Sequence, residues 1–159
     1  MKHSRSTRRS SRIAALQCLY GLYHTGYDCE EVLGPHWGLY EAPAGGLDEE
    51  EAAWVMDPPG DEAMAYATRL VRGVCAHEAE LDDHIHGALE NWSPDRVGPI
   101  ERCVLRIAVY EMLYVRDVPG GVAINEAIEV VKTFGAEEAA RFINGVLDRL
   151  RRAFEGEDA

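Results

Sequence analysis

Five cations, Lys2, Arg5, Arg8, Arg9 and Arg12, fall within the first twelve residues, and no acid precedes Asp28. Guanidinium and ammonium groups clustered in this way neutralise phosphates and release condensed counterions, so the chemistry they support is contact with a nucleic-acid backbone. A solvated basic tail has the same composition, and residue type alone does not separate the two. The chain as a whole is net −12, and because five of its 16 cations but none of its 28 acids lie in residues 1–27, the remainder carries −17. A basic arm on an acidic body touches phosphate at one place and repels it elsewhere, which favours selective binding over general coating.

Other reactive residue types form no convincing constellation. His77, His84 and His86 beside Asp82 and Asp83 invite a metal, but on a helix residues 84 and 86 point about 200° apart, and only 77 and 84 share a face. No metal or cofactor is expected. Cys18, Cys29, Cys75 and Cys103 have no CxxC spacing and read as small hydrophobes. There is no GxSxG, P-loop or dinucleotide-binding glycine pattern, and no Ser, His and acid spacing that fixes a triad. The expectation is a protein that is not an enzyme.

Helices must position whatever chemistry there is. Residues 1–12 are polar and Ser-rich, and their composition predicts a basic N-terminal arm that frays when free. Ile13, Leu16, Tyr20 and Tyr23 then recur at helical spacing, which predicts a first helix ending near Gly26 with these residues inward. Residues 28–62 hold eleven acids, no Lys or Arg, four prolines and five glycines, which predicts a long acidic surface loop with one short helical turn near Glu49–Val55. With no core stripe there, deleting residues 36–58 is expected to leave the fold intact.

Met64, Ala67, Val71 and Val74 give the next helix its face, and Leu81, Ile85 and Ala88 the one after, with Gly73 allowing close approach. Ser93, Pro94 and Asp95 read as a helix start, Pro99 as a second start or kink. From Ile100 to Met112 few polar sides remain, so this helix should be the centre of a bundle, with Arg106 paired to Glu126 or Glu129. After the break at Pro119, Gly120 and Gly121, Ile124, Ala127, Ile128, Val131 and Phe134 mark one helix. Gly135 ends it, and Ala140, Ile143, Leu147 and Leu150 mark a second. No apolar run approaches the ~20 residues of a membrane span, and the N-terminus lacks a secretory apolar region, so the expected location is the cytoplasm. The fold expectation is all-α, six or seven helices in two small packed bundles. An arm at 1–12 precedes a single domain at 13–159, with the N-terminal bundle at 13–90, the insertion at 28–62 and the C-terminal bundle at 94–152.

The stretch AINEAIEVVKTFG followed by RFINGVLD resembles the C-terminal signature of the NusB family of bacterial transcription antitermination factors. ERCVLRIAVYEM at 101–112, DVP at 117–119 and RIAALQCLY at 12–20 are similar to the family's other blocks, in the same order. The resemblance implies a non-catalytic adaptor that, with the small-subunit ribosomal protein NusE, binds single-stranded boxA RNA of rRNA leader transcripts. Together with other Nus factors it keeps RNA polymerase from terminating. Mapped onto this chain, the resemblance implies an RNA surface of Lys2, Arg5, Arg8, Arg9, Arg12, Tyr20, Phe134, Glu138, Arg141 and Phe142. It also implies a NusE-facing surface at Glu101, Arg102 and Leu105. Homodimerisation of the free protein stays open, as does the choice between core packing and base stacking for Tyr20 and Phe142. Two other readings stand beside this one. Similar helical modules precede rRNA cytosine-5 methyltransferase domains, although this chain reaches Ala159 without an S-adenosylmethionine-binding domain, and a protein-only helical adaptor would have the same core.

Overall fold

The computed structural model describes residues 2–26, 28–38, 60–89, 97–134 and 137–156, with side chains from residue 8 onward in the first segment and to residue 33 in the second. Among the described residues there are seven helices and no strand: α1 (Lys2–Thr25), α2 (Cys29–Gly38), α3 (Asp61–Ala76), α4 (Glu78–Ala88), α5 (Pro99–Tyr114), α6 (Gly120–Phe134) and α7 (Glu137–Glu155). The all-α expectation holds. Buried residues of every helix join one continuous apolar cluster, so the N- and C-terminal parts share a core.

The central element is α5, as its apolarity predicts. Pro99 opens it with φ already fixed and no N–H to satisfy, and Cys103, Val104, Leu105 and Ile107 through Glu111 are buried. It packs against α1, α3, α4, α6 and α7. Inward faces elsewhere follow the 3.6-residue period: Ala67, Leu70, Val71 and Val74 on α3, Leu81 and Ile85 on α4, Ile143, Val146, Leu147 and Leu150 on α7. Ile128 and Phe134 of α6 pack against the core only partly buried.

Several sequence expectations are corrected. Residues 2–12 form the first half of α1 and not a frayed tail, and the helix runs unbroken until Gly26, whose φ of 68° and N–H to Leu22 O bond of 3.0 Å close it. The polar run lacks apolar period, but residues 8–12 find partners across the fold, and tertiary pairing overrides composition. Tyr20 and Tyr23 do not follow Ile13 and Leu16 inward, and they remain 39% and 48% exposed. The acidic stretch contains helix α2, whose Leu33 is buried and whose Glu30 accepts two bonds from Arg72 of α3 at 2.7 and 3.0 Å. Arg106 pairs with Asp82 at 2.8 Å and Glu78 at 3.2 Å, tying α5 to α4, and not with Glu126 or Glu129. The expected turn at Glu49–Val55, the start at Ser93, the stop at Gly135, and most of the 36–58 deletion lie outside the described residues.

Among the described residues no group of three or more His, Cys, Asp or Glu is placed to hold a metal. The thiols are free, and burial pushes that of Cys18 up to about 12.

Candidate nucleic-acid interface

The arginines of α1 lie where that helix crosses α3, α5 and α6, and neighbouring carboxylates sort them by depth. Arg12 is at the bottom. Its Nε and Nη2 donate to the two oxygens of Glu111 at 2.9 and 2.7 Å, and the side chains are only 5% and 1% exposed. Tyr66 of α3 donates its hydroxyl to the same carboxylate at 2.6 Å. Burial is the largest single influence and opposes the charge on Arg12, but the forked bond to Glu111 together with the charges of Glu111 and Glu126 and the Tyr66 oxygen outweighs it, and the guanidinium pKa is raised. Burial likewise raises the Tyr66 phenol, with the Glu111 charge adding to it, so the hydroxyl stays a donor.

Arg9 is one layer further out. Its Nε and Nη2 donate to Glu126 of α6 at 2.9 and 3.0 Å, and that hydrogen bond is the first reason its pKa is raised. Arg9 is 43% exposed at the side chain and Glu126 11%. Arg8 is outermost. Its guanidinium carbon lies 4.7 Å above the Tyr66 ring, and its Nη2 donates at 2.7 Å to Asp117 in the α5–α6 turn, holding that carboxyl below its usual range. Asp117 is 64% exposed, so Arg8 and Asp117 can part without burying a charge.

The residues singled out from sequence therefore have different fates. Lys2 and Arg5 are on the first turns of α1, and their side chains are outside the described residues. Arg8 and Arg9 keep solvent-facing surface. Arg12, expected to contact RNA, is a buried structural ion pair instead. Its position on the inward face of α1, next to Ile13, Ala15 and Leu16, removes it from any external phosphate. Tyr20 is exposed, with its ring 4.4 Å from that of His24 in an edge arrangement, and Tyr23 is close to the same His24. At the α6–α7 corner Glu138 and Arg141 are exposed, while Phe134 and Phe142 are half buried against the core. On α5, Glu101 and Arg102 are half exposed, but Leu105, expected on a partner-facing surface, is 0% exposed. That residue faces the core because it falls in the same inward arc as Val104 and Ala108.

Sequence reasoning missed Tyr66, Glu111 and Asp117, and assigned Glu126 to Arg106 where it serves Arg9. The signal for Glu111 was present, since it is the one acid after Glu101 in an otherwise apolar α5, and such a residue needs a cation. Glu126 breaks the apolar run of α6 in the same way. Neither names its partner, because the pairs span 99 and 117 residues.

Known proteins resemble this chain in sequence and in fold. The NusB family model matches residues 9–152. The transcription antitermination protein NusB of Nitratidesulfovibrio vulgaris (strain DSM 19637 / Miyazaki F) is 43% identical over 149 residues, covering 94% of this chain and 90% of that protein. Among solved structures, T. maritima NusB superposes with a TM-score of 0.71 at 34% identity, over 91% of this chain and 90% of that one. A chain of the crystal structure of antitermination factors NusB and NusE in complex with dsRNA superposes with a TM-score of 0.74 at 25% identity, over 93% and 98%.

Proposed function

The chain belongs to the NusB family, and from that premise we propose that it is a non-catalytic, RNA-binding antitermination factor whose RNA contact begins on the outer face of α1. The observation that carries the proposal is the depth-sorted cluster on that helix. Arg8 and Arg9 are held at the surface with 38% and 43% of their side chains exposed, while the buried Arg12–Glu111 pair fixes the helix beneath them. The RNA is a single-stranded boxA element of an rRNA leader transcript, and NusE binds with it. The assembly acts in the cytoplasm on RNA polymerase with the other Nus factors, and homodimerisation is an alternative state of the free protein. Of the family's implied positions, Lys2, Arg5, Arg8 and Arg9 supply phosphate contacts. Tyr20 supplies a stacking face, and Phe134, Glu138, Arg141 and Phe142 extend the surface to the α6–α7 corner. Glu101 and Arg102 remain as the NusE-facing pair on α5, without Leu105.

Salt dependence tests the phosphate contacts. If Arg5, Arg8 and Arg9 each neutralise one phosphate, log affinity for single-stranded RNA falls against log salt with a slope near −0.7 × 3, about −2, from these residues alone. Changing the three to Ala should flatten the slope by that amount for specific and scrambled sequences alike, because such contacts carry no base information. Arg12 is left out of this variant, since its loss would report on folding. An unchanged slope and affinity would move the reading to a protein-only adaptor. Asp117 allows a second measurement. It competes with phosphate for Arg8 from an exposed position, so Asp117→Asn is expected to strengthen low-salt RNA binding by about two- to fivefold. The gain should fade as salt rises, and weaker binding in a titration of this variant would exclude Arg8 as a contact.

A further inference from the structure

Glu126 presents a conflict of sign. A carboxylate beside a phosphate-binding arginine should weaken RNA binding, yet this one is 11% exposed at the side chain, takes both donors of the Nε/Nη2 edge of Arg9 and lies 3.7 Å from Arg12 Nη1. It cannot swing away as Asp117 can. Behind it the chain of contacts continues inward from Arg12 to Glu111 to the Tyr66 hydroxyl. Every member behind Arg9 is wholly or largely buried, and three helices, α1, α5 and α6, are tied by them with α3 as a fourth support.

A guanidinium has five N–H donors arranged along two forked edges. With the side edge consumed by Glu126, the end edge of Nη1 and the second hydrogen of Nη2 are left, and among the described residues Nη1 of Arg9 has no hydrogen bond. A phosphate accepting two bonds from that end edge would find the plane already oriented. An arginine free to rotate would have to be ordered at the moment of binding.

We infer that Glu126 is a positioning residue for RNA: it holds the Arg9 guanidinium with its end-on fork presented outward for one phosphate. The inference rests on the reading of α1 as the RNA-contacting helix. Two effects oppose each other when the carboxylate is removed. Freeing Arg9 restores its ordering cost, about three- to tenfold in affinity for one immobilised long side chain. Removing a negative charge favours RNA, but this gain is screened. At about 0.5 M salt the screening length is roughly 4 Å, and positioning dominates.

The test is a fluorescence titration of the full chain against a fluorescein-labelled short single-stranded RNA, at low salt and at about 0.5 M, with wild type, Glu126→Gln, Arg9→Lys, Arg9→Ala and the Glu126→Gln/Arg9→Lys double variant. Lysine keeps the charge and loses the fork. At high salt Glu126→Gln and Arg9→Lys should each weaken binding by about three- to tenfold, and the double variant should be no weaker than either, because both changes remove the same oriented contact. A merely structural Glu126 would give independent losses that multiply. If thermal unfolding shows Glu126→Gln to be unfolded at the assay temperature, Glu126→Asp takes its place, since it keeps the charge but shortens the reach to Arg9. Its weaker binding would support the inference and its wild-type binding would overturn it. Undiminished high-salt binding by Glu126→Gln, with Arg9→Ala impaired, would overturn the positioning role and leave the proposed function standing. No binding by wild type would overturn both, and wild-type binding with Arg9→Ala unimpaired would overturn the role assigned to Arg9 and Glu126 alone.

Discussion

Arg12→Ala is expected to lower the stability of the protein by about 3–5 kcal/mol, because removing one partner leaves a buried charge without compensation. The partner is Glu111, 1% exposed, which would keep only the Tyr66 hydroxyl at 2.6 Å. For a domain of this size a loss of that order lowers the unfolding midpoint by roughly 6–20 °C. The magnitude separates this pair from the surface pairs of the same helix, which contribute about 0–1 kcal/mol each. Arg12→Lys should fall between wild type and Ala, since an ammonium retains the charge but cannot span both carboxylate oxygens. Replacing the set together, as Arg12→Met/Glu111→Leu/Tyr66→Phe, should recover most of the loss, because no buried polar group is then orphaned within it. A denaturation curve for Arg12→Ala within about 1 kcal/mol of wild type would show that the pair behaves as if solvated. The expected result also explains why an arginine in a basic N-terminal segment can be indispensable without touching RNA.

The distinction between Arg12 and its neighbours was not legible in the sequence. Periodicity identified the inward faces of α3 to α7 because Val, Leu, Ile and Ala recur where a helix turns toward the core. It identified α5 as the centre because that helix is apolar on most sides. The same method fails on residues 2–12, where Ser, Thr and Arg carry no apolar period, and it treats Arg12 as the last residue of a tail when, with Ser11, it opens the buried stripe. Burial of a cation is decided by its counterion, and Glu111 lies 99 positions away. Arg106 failed for the same reason in the opposite direction. The acids expected to pair with it were on α6, while α4 delivers Asp82 and Glu78. Tyr20 and Leu105 show the limit of reading an arc without its neighbours: both occupy helical positions consistent with either role, and only the packing of α1 and α5 turns one outward and the other in. The family motif points to the α1 surface as a candidate region, but a motif does not rank depth.

The contact between α3 and α5 gives the second large expected effect. Gly73 is buried in α3, and a Cβ built there would enter the ring of Tyr110, which is 8% exposed and stacked on Tyr114 at 5.3 Å. His77 closes the stack, 4.2 Å from the Tyr114 ring. The ring is buried between α3 and the Tyr114 stack, so Gly73→Ala must separate the helices or force Tyr110 off its rotamer, at about 1–3 kcal/mol. Intrinsic propensity alone predicts the reverse, since Ala is favoured over Gly in a helix interior by about 1 kcal/mol. Gly87 of α4 supplies the contrast, because a Cβ there meets nothing within 4 Å. Gly87→Ala is expected to stabilise by about 0.4–1 kcal/mol, so two identical substitutions should move the urea midpoint in opposite directions. Tyr110→Leu should rescue Gly73→Ala, making the double variant more stable than the sum of the single changes predicts, as expected for residues in direct contact. If Gly73→Ala stabilised the protein as Gly87→Ala does, the close approach of α3 to α5 would be wrong. That approach matters beyond stability, because α3 also carries Tyr66, and the hydroxyl that Tyr66 delivers to Glu111 supports the arginines of α1 from beneath.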